Sequence, residues 1–432
     1  MSKAHDVYAL GQSLWIDYMR RRFVDDGGLK GMIEKGVRGV TSNPTIFEKA
    51  IAGSADYDEQ LQELVARGSS SAEIYEALVV EDIRKAADLM RPVYDESHGR
   101  DGFVSLEVSP DLAHSTDATV NEARRLHRVL DRPNVMIKVP ATPEGVPAIE
   151  ALIADGISVN VTLLFSLAHY EAVAEAYLRG LERRVESGGE LSRIASVASF
   201  FVSRVEGKVD EALKEAGRPE LQGKTAVANA KRAYRRFREI LSGERWKALE
   251  IRGAQVQRPL WASTGVKNPA YPDTMYVDEL IGPDTVNTLP PETLDAVLDH
   301  GRVSPTLDQD MERAQTHLEG LVEHGIDLAA ITAALQEEGV GKFAESFRSL
   351  MDSIEEKRRS LQQDKLVTDF VLGTEEEEAV EGAFEELRRE AVMDRIGIHD
   401  YRLWRPDPQE IINRLGWLHI AEHMQEPEVL DE

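Results

Sequence analysis

The chain has 432 residues, 42% hydrophobic and 30% charged, enough to bury the core of a barrel-sized domain and carry an appendage. Its 51 basic and 77 acidic residues leave a formal charge of −26, a surface that repels nucleic acid and anionic membranes and removes both as expected partners. Cysteine is absent, which excludes disulfides, thiolate metal sites and thiol catalysis; no signal-like start or apolar window of about 18 residues is present, so a cytoplasmic address is expected.

Along the chain, short apolar runs at 13–17, 37–43, 103–108, 134–139, 157–165, 194–202, 259–263 and 284–289 read as strands. Longer amphipathic stretches separate them. Residues 71–90 carry Ile74, Tyr75, Leu78, Val79 and Ile83 at helical spacing, and 167–185 repeats the pattern behind Ser166, a candidate cap. Strand and helix in strict turn imply parallel pairing through right-handed crossovers. Repeated across residues 1–360, this pattern predicts an α/β fold, a (β/α)8 TIM barrel. A doubly wound open sheet is the alternative, but no Gly-x-Gly-x-x-Gly turn follows the first strand.

Residues 361–432 read as a helical C-terminal extension. Thr374-Glu375-Glu376-Glu377 has the form of a capping box ahead of a helix with Val380, Phe384, Leu387 and Ala391 on one face. Asp407-Pro408 then opens a second helix bearing Ile411, Ile412, Leu415 and Leu418. Acids at 375–378 suit a helix N-terminus, where the dipole favours negative charge. Trp404 and Trp417 are expected to anchor this tail. His419 and His423 share a helix face but have no further ligands beside them, so they read as a surface pair and no metal is expected.

In a parallel barrel the C-terminal strand ends converge on one mouth, where active sites sit. The first strand ends in Asp17 and the second in Thr41-Ser42-Asn43. The third carries Ser105 and Glu107 on one face, the fourth Lys138, the fifth Asn160 and Thr162, the sixth Ser199 with Arg204 beyond it, and the seventh ends at Ser263. Buried polar groups need partners, so a run of such ends is hard to assign to packing. A strand lysine alone is more often a rim charge. Beside two carboxyls, however, Lys138 is a candidate nucleophile, because lysine amines form Schiff bases with ketones and turn the adjacent carbon into a carbanion equivalent. Only the neutral amine attacks. At an ordinary pKa of about 10.4, about one lysine in 2,500 is neutral at pH 7, so such chemistry calls for an apolar setting.

The strings Thr41-Ser42-Asn43-Pro44-Thr45, Ser105-Leu106-Glu107-Val108-Ser109, Met136-Ile137-Lys138-Val139-Pro140, Ser158-Val159-Asn160-Val161-Thr162 and Ser199-Phe200-Phe201-Val202-Ser203-Arg204 resemble successive motifs of the transaldolase family, in the family's order. The resemblance spans about residues 7–355. It implies that Lys138 forms the Schiff base, that Asp17 handles the hydroxyl proton as the carbon–carbon bond breaks or forms, and that Glu107 with Thr162 positions a water for carbinolamine dehydration. Asn43, Asn160 and Ser199 match residues that bind substrate hydroxyls. Arg204 and Ser263 match the phosphate-binding group, with Lys267 standing in for a second cation. No cofactor is implied. The expected partners are sugar phosphates, with the chain a monomer or homodimer. The implied reaction carries a dihydroxyacetone unit from sedoheptulose 7-phosphate to glyceraldehyde 3-phosphate. Fructose-6-phosphate aldolases use the same lysine but are shorter and carry Gln and Tyr where this chain has Glu107 and Phe201, which favours the transferase. Class I aldolases for deoxyribose phosphate or keto acids, and a non-catalytic barrel with an interaction tail, are the remaining alternatives.

Overall fold

The computed structural model describes residues 2–368, 382–387 and 389 of the chain. Eight strands, β1 (Gln12–Asp17), β2 (Gly39–Thr41), β3 (Phe103–Glu107), β4 (Val135–Pro140), β5 (Val159–Leu164), β6 (Ser196–Phe201), β7 (Gln257–Ala262) and β8 (Thr285–Leu289), close in chain order into a parallel barrel, with β1 also paired to β8. This is the expected (β/α)8 barrel. The strands are buried along nearly their whole length, as strands covered on both faces must be.

The expected strand 37–43 shrinks to β2, Gly39–Thr41. The cause is local. Pro44 takes the first position of the helix Pro44–Ala52, and the Asn43 side chain accepts a hydrogen bond from the Ile46 amide at 3.0 Å, so the chain turns helical where apolar character alone would continue the strand. The helix expected at 71–90 runs as Ser71–Glu96, straight through Pro92. Its start is a capping box between Ser70 and Glu73. Its last turns persist because Val93 and Tyr94 are buried against the barrel, Tyr94 edge-on to Phe103 at 5.3 Å. Ser166 caps the helix Leu167–Glu186 as expected, accepting from the His169 amide at 3.1 Å.

The barrel interior is layered. At the N-terminal floor, fully buried Asp101 accepts hydrogen bonds from Arg258 of β7 (3.0 Å), Ser13 of β1 (2.9 Å), Arg38 (3.2 Å) and Trp15 (3.3 Å). Above it Trp15 lies beside Phe103, and Gly39 of β2 is required there because an added Cβ would fall 2.4 Å from the Trp15 ring. A hydrogen-bonded belt follows: Asn160 of β5 donates to Ser105 of β3 (3.0 Å) and accepts from Ser199 of β6 (2.7 Å). The layer above is the mouth.

The long helix Leu328–Thr368 crosses that mouth. Gln336 donates to the carbonyls of Ala141 (2.9 Å) and Leu163 (3.0 Å), Ser346 bonds Thr45 at 2.8 Å, and Phe347 stands edge-on to Tyr75 at 5.3 Å. The barrel unit comprises Met1–Leu361. Of the tail, 382–387 is helical and leaves Phe384 and Leu387 exposed. The proposed helix start at 374, Val380, Ala391, Asp407-Pro408 with its helix, Trp404, Trp417, His419 and His423 lie outside the described residues. Among the described residues no helix is long and apolar enough to cross a membrane.

Candidate active site

Lys138 stands near the end of β4 and is 5% exposed. Its Nζ donates to the Ser42 carbonyl at 2.9 Å and lies 3.4 Å from Glu107 Oε2, its cross-strand neighbour in the β3–β4 register. That approach is within ion-pair reach but lacks hydrogen-bond geometry, and Glu107 Oε2 is buried with no hydrogen-bond partner. Asp17, the last residue of β1, accepts a hydrogen bond from Thr41 at 2.6 Å, and Thr41 lies 2.6 Å from the Thr288 hydroxyl. Thr162 of β5 points its hydroxyl into the same mouth, where the oxygen is buried without a partner.

Two strand ends at the mouth hold non-glycine residues in the left-handed region, Leu163 with φ 63° and Ser263 with φ 55°. Such a conformation costs of order 1–3 kcal/mol, so the surroundings must enforce it. At Leu163 the β5–β6 register shifts, and Gln336 of the long helix holds the Leu163 carbonyl. Ser263 Oγ pairs with Ser203 Oγ at 2.9 Å, and the Ser203 amide donates to the Ser263 carbonyl at 3.0 Å.

A cavity of about 270 Å³ opens here. Of the sequence candidates it is lined by Asp17, Asn43, Lys138, Thr162, Ser199, Phe201, Arg204, Ser263 and Lys267. Asn160 is not among the lining residues; it stands beneath them in the belt and orients Ser199. Glu107 does not line this cavity either, lying behind Lys138. Sequence reasoning missed Lys49, Thr288 and Phe343, which do line it. Thr288 is a polar residue near the end of β8, as other candidates are in their strands, and was findable on that signal. Phe343 sits on the long helix, where nothing in the sequence distinguishes it from a core aromatic.

The electrostatics favour an anionic guest. Among the described residues, Arg204, Lys49 and Lys267 make no ion pair, although acids outnumber bases in the chain. The Arg204 guanidinium lies over the rings of Phe201 (5.1 Å) and Phe343 (5.8 Å), an arrangement that fixes its plane while leaving its donors free. Burial lowers the Arg204 guanidinium from its usual range, with Asp17 and Glu107 working the other way. Burial likewise pushes both carboxyls up, Asp17 against the opposing pull of Lys138 and its bond from Thr41, and Glu107 against Lys138. The site therefore combines an enclosed amine, two carboxyls biased toward holding protons, hydroxyls, and free cations at one side. Such a set can bind a carbonyl compound by an anionic group, attack it with the amine and move protons around it.

Comparison with known proteins identifies the family. Residues 14–354 match the family model described as transaldolase/fructose-6-phosphate aldolase. The chain is 48% identical over 378 residues to Transaldolase 2 of Nostoc punctiforme, covering 84% of this chain and 99% of that protein. It is 50% identical over 349 residues to the transaldolase of Thermobifida fusca, covering 80% and 95%, and 50% identical over 358 residues to that of Thiobacillus denitrificans, covering 82% and 100%.

Proposed function

From the premise that this chain belongs to the transaldolase/fructose-6-phosphate aldolase family, we propose that it is a transaldolase, transferring a dihydroxyacetone unit between sugar phosphates through a Schiff base on Lys138. The observation that carries the reading is the placement of Lys138: a strand lysine 5% exposed, in contact with a carboxyl, and open to a cavity whose other cations have no carboxylate partner among the described residues.

In this mechanism the ketose phosphate enters with its phosphate toward Arg204, Ser263 and Lys267, where the free guanidinium fork and a lysine meet it. Lys138 Nζ adds to C2 to give a carbinolamine. Glu107, whose burial favours the protonated form, gives its proton to the departing hydroxyl through a water held between it and Thr162; water leaves and the iminium forms. Asp17 then takes the proton of the C4 hydroxyl, the C3–C4 bond breaks, and its electrons move into the iminium to leave an enamine on Lys138. The enamine attacks the aldehyde carbon of the acceptor, and Asp17 returns the proton to the new hydroxyl. Asn43 and Ser199 line the cavity where they can hold substrate hydroxyls. The donor and acceptor are sedoheptulose 7-phosphate and glyceraldehyde 3-phosphate, in cytosolic carbohydrate metabolism. The relatives' names favour this over release of free dihydroxyacetone by an aldolase.

The experiment is borohydride reduction with fructose 6-phosphate followed by peptide mass analysis. A three-carbon or six-carbon adduct on Lys138 is expected; an adduct on another lysine, or none, refutes the mechanism. We also infer that the residues beyond 361 are an appendage, since relatives matched over 95–100% of their length cover only 80–84% of this chain. The same trapping by a chain ending at Thr368 tests that: a folded truncation that is not trapped overturns it.

A further inference from the structure

A second cavity, of about 210 Å³, lies behind the catalytic lysine. It is bounded by the end of β3, the turn after β2, and the helices Ser71–Glu96 and Thr116–Leu130. Its wall is largely apolar, with Val79, Val80, Leu106 and Leu126, and carries the polar side chains of Ser42, Asn43, Tyr75 and Ser109. At its inner end stands Glu107, which lines this cavity and not the substrate cavity, with Oε2 3.4 Å from Lys138 Nζ and without a hydrogen-bond partner. At its outer end Arg125 binds Glu76 through both terminal nitrogens (2.8 and 2.6 Å) and Glu122 through Nε (2.8 Å). The Arg125 side chain is 40% exposed, so this ion-pair cluster is where the cavity meets solvent.

We propose that this second cavity is the water compartment of the reaction, with the Arg125–Glu76–Glu122 cluster as its gate: water expelled on Schiff-base formation leaves through it, and hydrolytic water arrives through it. The proposal rests on the Schiff-base reading above. In the Schiff-base reading the covalently held sugar phosphate occupies the substrate cavity, while the proton for the leaving oxygen comes from Glu107 on the side of the second cavity. A water molecule occupies about 30 Å³ of liquid, so the compartment has room for several, and its largely apolar wall keeps the traffic sparse. Sparse water suits a transferase, whose enamine must meet an aldehyde before the Schiff base is hydrolysed. The balance is simple. In dehydration Glu107 gives a proton to the carbinolamine hydroxyl, the C2–O bond breaks, and iminium, carboxylate and water result. In hydrolysis water adds to C2 as Glu107 takes a proton back.

Each dehydration and rehydration replaces the C2 oxygen of fructose 6-phosphate, so its exchange in 18O-labelled water counts passages of water. Two variants lie outside the substrate cavity. Val79→Phe narrows the compartment and is expected to lower both oxygen exchange and the single-turnover rate of borohydride trapping by about tenfold, equivalent to about 1.4 kcal/mol in the barrier. Arg125→Met removes the gate's ion pairs at a surface position and is expected to raise exchange and release of free dihydroxyacetone, with KM for fructose 6-phosphate unchanged. Should Val79→Phe fail to fold, Arg125→Met decides alone. Unchanged exchange in the folded variants, with Lys138 still trapped, overturns the water route and leaves the mechanism standing. Absence of trapping in the unsubstituted enzyme overturns the mechanism itself.

Discussion

Replacing Asp17 by Asn keeps the size and shape of the side chain while removing the group proposed to take the C4 hydroxyl proton. Positioned general bases typically contribute about 10²–10⁴-fold, so turnover should fall by that factor, about 3–5 kcal/mol in the barrier. Schiff-base formation precedes the lost step, so borohydride should still label Lys138. Stability should move the other way. Burial raises the Asp17 carboxyl above its ordinary range despite Lys138 and the 2.6 Å bond from Thr41. A raised folded-state value means that the folded chain holds this proton more tightly than the unfolded one. The stability it contributes is full below the unfolded pKa of about 3.9 and is lost as pH rises through the folded value. Asn carries no such loss, and its amide oxygen can still accept from Thr41.

The variant should therefore be more stable than the parent at neutral pH, with the difference growing as pH is raised from about 4 and then levelling. The assays are single-turnover trapping, steady-state transfer, and urea denaturation at a series of pH values. A carboxyl that served the fold would give a destabilised variant whose activity loss tracks the loss of folded protein. That outcome, or failure of Lys138 to be trapped in a folded variant, would refute the reasoning.

Arg204→Lys removes the guanidinium fork and its stacking on Phe201 and Phe343. Charged hydrogen bonds are worth about 1.5–3 kcal/mol, so KM for glyceraldehyde 3-phosphate should rise about tenfold to a hundredfold, with unphosphorylated glyceraldehyde little affected. An equal effect on both acceptors would exclude a phosphate role. Asp101→Ala leaves buried Arg258 without its carboxylate partner and should destabilise the chain by about 3–5 kcal/mol in urea denaturation. Burial alone would raise Asp101, but Arg258 and Arg38, with hydrogen bonds from Arg258 and Ser13, bring it below its ordinary range. Its contribution is thus present above about pH 3.9 and lost on acidification, so the deficit of the variant should shrink below that pH; a pH-independent deficit would contradict the assignment.

The barrel was legible because most strands are short apolar runs and because at least one helix separates every pair of consecutive strands. What the sequence offered for the candidate site was the clustering of its polar strand residues. Asp17, Lys138, Thr162 and Ser199 are polar residues in the C-terminal halves of their strands, and a closed parallel barrel brings those halves together whatever the loops do. Strand periodicity gives the face of a residue but not what occupies that face at its height. Asn160 shares its face with Thr162, yet two residues lower it is consumed by Ser105 and Ser199. Glu107 faces Lys138 as its register requires, yet it borders a second cavity whose walls are helices, which no strand pattern encodes.

What the sequence hid most completely is the long helix Leu328–Thr368, because its work depends on contacts with residues far earlier in the chain. Helical spacing shows that Gln336, Gly339 and Phe343 fall near one face and nothing more. In the folded chain Gln336 holds the Leu163 carbonyl, and Gly339 lets the helix pass so close that a Cβ there would fall 2.8 Å from the Leu163 side chain. Phe343 lies under the Arg204 guanidinium. Leucine disfavours the left-handed region, so Leu163 at φ 63° would be unreadable from β5 alone, and this kink, immediately after Thr162, shifts the register one residue before the strand ends at Leu164. The strain at Leu163, the missing side chain at 339 and the anchored amide at 336 are therefore one device. The helix that roofs the cavity also holds the strand end that presents Thr162 to it, so the shape of the mouth is set by a segment that contributes no reacting group.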